Sequence, residues 1–318
     1  TASASAADHD VLFIRGADRS GGFLEAGNDT QRTEQLADIN NGATSNGNHG
    51  WKTLADTLRN NGFNVSQVEE PLLPGDPSSG QTEGGPLNFA NPGGANYVNL
   101  NSYDVVVFGS NNASYGSQDV DAVENYIRGG GGAIFISDAN FGDNWADASN
   151  SDQPFLSRFG LTVNQDRGTY SLNRSSGDFL VPDHPILAGV DGFDGEGVTP
   201  ITVGENLPEG VNVDILANAK GSVRRNNGNP GSSSSATAQD AALLAATIDR
   251  GRLIGHFDRN TFFNDNGAGT NITRFDNEQF AINMFTYAAV PEPGSLALLG
   301  LGGLVLLRRT KRGGANNR

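Results

Sequence analysis

Four consecutive apolar residues, Val11-Leu12-Phe13-Ile14, run into Arg15-Gly16-Ala17-Asp18, and so short an uninterrupted run before a polar turn predicts a buried strand opening into a loop. After a polar stretch, Trp51, Leu54, Ala55 and Leu58 recur at helical spacing, and Asn61-Gly62 supplies the stop. Residues 63–68 then alternate as a second strand. This β-α-β order predicts parallel pairing. Residues 71–97 are rich in Pro and Gly, show no hydrophobic period and predict a long loop. Val105-Val106-Val107-Phe108 is apolar on both faces of a strand, as in the middle of a parallel sheet. Residues 117–128 carry Val120, Val123, Tyr126 and Ile127 as one helical stripe, with Ser117 placed to cap the start and Gly129 to Gly132 ending it. Residues 133–137 predict the next buried strand.

Beyond residue 160 the pattern weakens into short strands at 161–163, 201–203 and 213–217 and a serine loop at 232–235. It recovers at 251–258, a strand, and at 277–288, a helix carrying Phe280, Ile282, Met284 and Phe285. The early and late halves are expected to share one sheet. The fold class that follows is α/β: a mostly parallel open sheet flanked by helices, with loop-rich insertions.

The end of the chain changes the picture. Val290-Pro291-Glu292-Pro293 precedes a charge-free run at 295–307, followed by Arg308, Arg309, Lys311 and Arg312. Thirteen residues span only ~20 Å as a helix against a hydrocarbon core of ~30 Å. Gly300, Gly302 and Gly303 loosen the run further. It is therefore expected to be a removable sorting segment rather than a lasting anchor, its basic end held on the cytoplasmic side. The Pro-Glu-Pro, apolar run and basic cluster, in that order, resemble the PEP-CTERM sorting signal. That resemblance implies processing at Pro291, Glu292 and Pro293 by exosortase, transient insertion of 295–307 in the inner membrane, and release to the cell surface or medium, often alongside extracellular polysaccharide. At the other end, the Ala-x-Ala pattern within residues 1–7 is expected to be what signal peptidase leaves. Three segments result: 1–10 as residual signal or linker, 11–289 as the α/β domain and 290–318 as the sorting signal.

Charge and cysteine content exclude several classes. Of the 21 Lys and Arg, five lie beyond residue 289, against one of the 36 Asp and Glu, so residues 1–289 carry about −19. Such a surface repels phosphate backbones, and nucleic acid is not an expected partner. With no cysteine there is no disulfide framework and no thiolate metal site.

The order of elements, from the 11–16 strand through Asn48-His49-Gly50-Trp51, 103–110, the Gly-rich turn into 133–138, His184-Pro185-Ile186-Leu187-Ala188-Gly189-Val190, and 251–263 with its following helix, resembles the class I glutamine amidotransferase-like fold in its ThuA-like branch. Members that act on glutamine place a cysteine at the turn after the fourth strand. Here that turn reads Ser137-Asp138-Ala139-Asn140, which excludes a thiol glutaminase. It also lacks the flanking glycines of a serine nucleophile elbow.

In open α/β sheets ligands settle at the carboxyl ends of the strands. Arg15, Asp18, Ser110, Asn111, Asp138, Asn140, His256, Asp258 and Arg259 are expected there, with His49 and His184 near. Asp138, His256 and Asp258 are the set able to do acid-base work, bind an ion or hold sugar hydroxyls; the bland alternative makes Asp138 and Asp258 caps and His184 a turn residue. Asp191-Gly192-Phe193-Asp194-Gly195-Glu196 has the flavour of a Ca²⁺ loop without its ligand spacing and is expected to be a solvated turn, and Asp143, Asp147 and Asp152 to be surface charge. No cofactor is implied, and the residues do not decide on a metal. The expected function is a surface-sorted binding or matrix-associated module for carbohydrate. The alternatives are a ThuA-like sugar-active hydrolase using Asp138, His256 and Asp258, or a structural matrix component.

Overall fold

A computed structural model describes residues 9–16, 37–44, 49–71, 85–109, 113–137, 152–164, 169–196, 198–225, 233–265 and 269–290. In chain order the strands are β1 (His9–Arg15), β2 (Phe63–Glu69), β3 (Val105–Phe108), β4 (Gly132–Ile136), β5 (Leu161–Val163), β6 (Thr169–Asn173), β7 (Gly192–Glu196), β8 (Ile201–Val203), β9 (Val211–Asn218), β10 (Ser222–Arg224), β11 (Ser233–Ser235), β12 (Asp240–Ile248) and β13 (Gly251–His256). The helices include α1 (Lys52–Asn60), α2 (Ser117–Arg128) and α3 (Asn277–Ala289).

The main sheet runs β2-β1-β3-β4-β13-β12-β8-β5, with β9 also paired to β12. The first five strands are mutually parallel, and from β12 onward the pairing is antiparallel. Alternation along β3 sets the layers. Val105 and Val107 face one side, packing with Leu54, Leu58, Met284 and Phe285 of α1 and α3. Val106 and Phe108 face the other, with Val120, Val123 and Ile127 of α2. Parallel strands need helical crossovers, so both faces are covered and the strands are apolar throughout.

The predicted first half holds closely, with one correction at the start of α2. Its N-cap is Gly116, and Ser117 is already helical with no capping bond. In the second half, residues 192–196 are a strand rather than a solvated turn, paired with β6 and carrying Asp194 into the interior. The expected serine loop contributes β11, paired with β10, and the strand expected at 213–217 extends to Val211–Asn218. The 71–97 stretch, read as loop, nevertheless buries Leu87 and Phe89. Among the described residues no helix is long and apolar enough to cross a membrane; the predicted sorting segment lies outside them.

Candidate functional site

The carboxyl ends of β1, β2, β3, β4 and β13 form one edge of the parallel sheet. Register places Arg15 opposite Glu69 at the ends of β1 and β2, so their side chains meet: Arg15 Nη1 donates to Glu69 Oε1 at 2.8 Å and lies 3.5 Å from Asp38 Oδ2. The next residue, Glu70, is buried, its carboxylate accepting from the Tyr115 hydroxyl at 2.6 Å and the Ala113 N–H at 2.8 Å. Burial, reinforced by the Glu70 charge, holds the Tyr115 phenol protonated well above its ordinary range.

Over the end of β3 sits Trp51. Its ring approaches Gly109 so closely that a Cβ there would stand 2.2 Å from it, and its indole N–H donates to the Arg259 carbonyl at 3.3 Å. The indole therefore fills the central part of the edge on the α1 side.

Ser137 follows β4, its N–H donating to the His256 carbonyl at 3.1 Å and its hydroxyl to the Asp152 carboxyl. Asp152 is not surface charge, as expected from sequence, but buried. Burial pushes its carboxyl up to about 6, against the opposing hydrogen bond of Ser137 and charge of Arg259. The same guanidinium acts on His49, which burial and then Arg259 push down to about 4. Ser137, Asp152, Arg259 and His49 are thus electrostatic neighbours.

His256 and Asp258 turn elsewhere. His256 is fully buried among Phe193, Phe257, Phe262 and Phe280, with ring centroids 4.9–5.9 Å away. Its Nε2 is 2.9 Å from Thr261 Oγ1. Since the threonine hydroxyl donates to the Asp194 carbonyl at 2.7 Å, Nε2 carries the proton. Burial pushes this imidazole down to about 3, so it stays neutral and cannot trade protons near pH 7. Asp258, also fully buried, accepts the backbone N–H of Glu196 and, at 2.8 Å, that of Asn260. These are the bonds of a loop cap. Arg15 and His256 are ends of strands three places apart, roughly 14 Å at ordinary strand spacing. Asp18, Ser110, Asn111, Asp138 and Asn140 lie outside the described residues, so Arg15, His256, Asp258 and Arg259 are the expected site residues that can be placed. His184 accepts the Ile186 N–H at 3.2 Å, the turn role weighed for it. Among the described residues no group of three or more His, Asp or Glu side chains could hold a metal ion.

Residues 289–312 match the family described as the PEP-CTERM protein-sorting motif. The chain carries an export-sorting signal. The motif implies exosortase recognition, export and sorting to the surface. Known structures similar to the chain include a ThuA-like protein from Parabacteroides merdae (13% identity, TM-score 0.44, covering 89% of this chain and 90% of that one). Another ThuA-like protein, from Bacteroides uniformis, is 14% identical (TM-score 0.44, 91% and 95% covered). The N-terminal domain of mmIFT52 is 11% identical (TM-score 0.47, 89% and 98% covered). Similarity at this level says nothing of chemistry. No curated protein matches the chain by sequence.

Site residues that sequence reasoning missed are Glu70, Tyr115 and Asp152. The only local signal for Asp152 is the apolar Pro154-Phe155-Leu156 behind it, which seats residues 152–156 as a helical turn against the α2-side core.

Proposed function

We propose that the exported domain is a non-catalytic surface module that holds extracellular polysaccharide. The observation that carries this reading is the orientation of His256 and Asp258. The imidazole and carboxylate a hydrolase would need are withdrawn from solvent, one into an aromatic cage and the other onto two backbone N–H groups. The carbohydrate assignment draws support from the sorting motif and from charge: an acidic body favours a neutral, hydroxyl-rich partner over polyanions.

The test is retention of the secreted protein on its host's extracellular polysaccharide, with released oligosaccharide measured in the same sample. Retention without release is expected. Release of reducing ends that disappears in Asp258→Asn while the variant keeps its melting temperature would establish the hydrolase instead, and the absence of both retention and release would refute the carbohydrate assignment.

A further inference from the structure

At the opposite, amino end of β3 a cavity of about 240 Å³ lies between the loop ending at Leu100 and the last turns of α2. Three aromatic residues, Phe89, Tyr97 and Tyr126, and three asparagines, Asn99, Asn101 and Asn125, line it. None is charged. The cavity is small beside the roughly 300–1,000 Å³ of drug-sized sites and matches a single sugar ring better than an extended ligand.

Its two kinds of lining residue are placed differently. Phe89 and Tyr126 are buried and fixed. Phe89 stacks on Tyr115 with centroids 5.1 Å apart, and the single Tyr126 hydroxyl proton is shared between the carbonyls of Tyr103 and Gly132, at 3.1 and 3.2 Å. With its polar end engaged, Tyr126 offers the cavity only its ring. Tyr97 is half-buried at the rim. The asparagines are exposed, and their carboxamides have no hydrogen-bond partner among the described residues. Each brings both a donor and an acceptor.

The loop that carries Tyr97 is held in advance. Asp119 Oδ1 accepts from the N–H groups of Phe89 and Ala90 at 2.8 and 3.3 Å. Asn88 pairs by backbone with Asn96 and Val98 at 3.0 and 2.9 Å, and its side chain donates to the Asn91 carbonyl at 3.0 Å. A preorganised loop binds without a large ordering cost.

Aromatic rings beside neutral carboxamides of both hydrogen-bonding senses suit a ligand with an apolar C–H surface and a rim of hydroxyls. We infer that this cavity binds a neutral pyranose unit, packed on Tyr97 and Tyr126 and hydrogen-bonded by Asn99, Asn101 and Asn125. The inference rests on the reading of the domain as a polysaccharide module and places its binding face at the amino edge of the sheet.

The test titrates the full chain with cellobiose, maltose and glucuronic acid by ligand-observed NMR and repeats the polysaccharide retention assay with Tyr97→Ala, Tyr97→Phe and Asn125→Ala. At least one neutral disaccharide should bind. Its affinity should fall about tenfold or more in Tyr97→Ala and in Asn125→Ala, as expected for losing one main contact, while Tyr97→Phe keeps most of it. Melting temperature should be unchanged in Asn125→Ala, which separates binding from folding. Retention of wild type and of both alanine variants alike would overturn the cavity while leaving the module reading intact. Failure of the wild type to bind either disaccharide or to be retained would overturn both, and tighter binding of glucuronic acid would overturn the preference for a neutral sugar.

Discussion

The two ends of the parallel sheet use polar side chains in opposite ways. At the carboxyl edge several of the described ones are turned inward and bonded within the chain: Asp258 to two backbone N–H groups, Ser137 to Asp152, Glu70 to Tyr115, with Trp51 filling the space over Gly109. At the amino edge, Asn99, Asn101 and Asn125 stand exposed beside aromatic rings with no partner among the described residues. A polar group satisfied internally stabilises the fold and has little left to offer a ligand. Position at a strand's carboxyl end is therefore a weaker guide to a site than whether the side chains there are already spoken for.

Mutations should separate the edges. Asp258→Ala removes the acceptor of two backbone N–H groups, one buried and one part-buried, and should cost about 2–4 kcal/mol, a buried unsatisfied donor being worth roughly 1–3; chemical denaturation checks it, and a loss under 1 kcal/mol would mean the carboxylate is not the cap described. Gly109→Ala forces a methyl against the Trp51 ring and should cost about 1–3 kcal/mol, the usual range for overpacking. Melting curves read this directly, and Trp51→Leu in the same chain should recover part of it.

The pH dependence should show opposing windows. Asp152 has a folded value of about 6, above its ordinary 3.8. Its neutral form favours folding, so its contribution is complete below 3.8 and lost as pH rises through 6, about 3 kcal/mol across the window at 1.36 per pH unit. His49 and His256 behave oppositely. Their folded values of about 4 and about 3 lie below 6.5, so their contribution is present above 6.5 and lost as pH falls through 4 and 3. Asp152→Asn should therefore flatten the decline in stability between about pH 4 and 7 and leave the acid limb in place. An unchanged slope above pH 4 would mean that Asp152 is not the buried acid.

The smallest effect on the folded domain is expected from the sorting tail. Intact mass of secreted protein should show loss of residues beyond about 290–293 with no change in melting temperature, since α3 ends at Ala289. Only full-length protein in the envelope would make the segment a lasting anchor.

How much of this was legible in the sequence depends on how each element is stabilised. β1, β3, α1, α2 and α3 announce themselves because a buried face imposes its period on the residues. β12 does not: Asp-Ala-Ala-Leu-Leu-Ala-Ala-Thr-Ile is richer in helix formers than in β-branched residues, and it is a strand because β13 and β9 pair with it on either side. β7 looks like a turn because two glycines and two acids crowd five residues. Its interior Asp194 is tolerated through Asn277 and Arg274, at 3.0 and 3.2 Å, some 80 residues away in sequence. His256 closes β13 and Asp258 follows it, but sequence carries no sign of which way those side chains turn. The amino-edge cavity was hidden for another reason. Phe89 and Tyr97 lie in a Gly- and Pro-rich stretch without a period, and only the folded loop brings them to α2.

Hydrogen exchange of the secreted protein, with and without a saturating neutral glycan, tests the contrast between the edges most directly. Protection is expected over residues 88–101 and 122–126, with none gained at 15–16, 137 or 256–259. Protection confined to the carboxyl-edge segments would contradict the account and return the binding site to the strand ends.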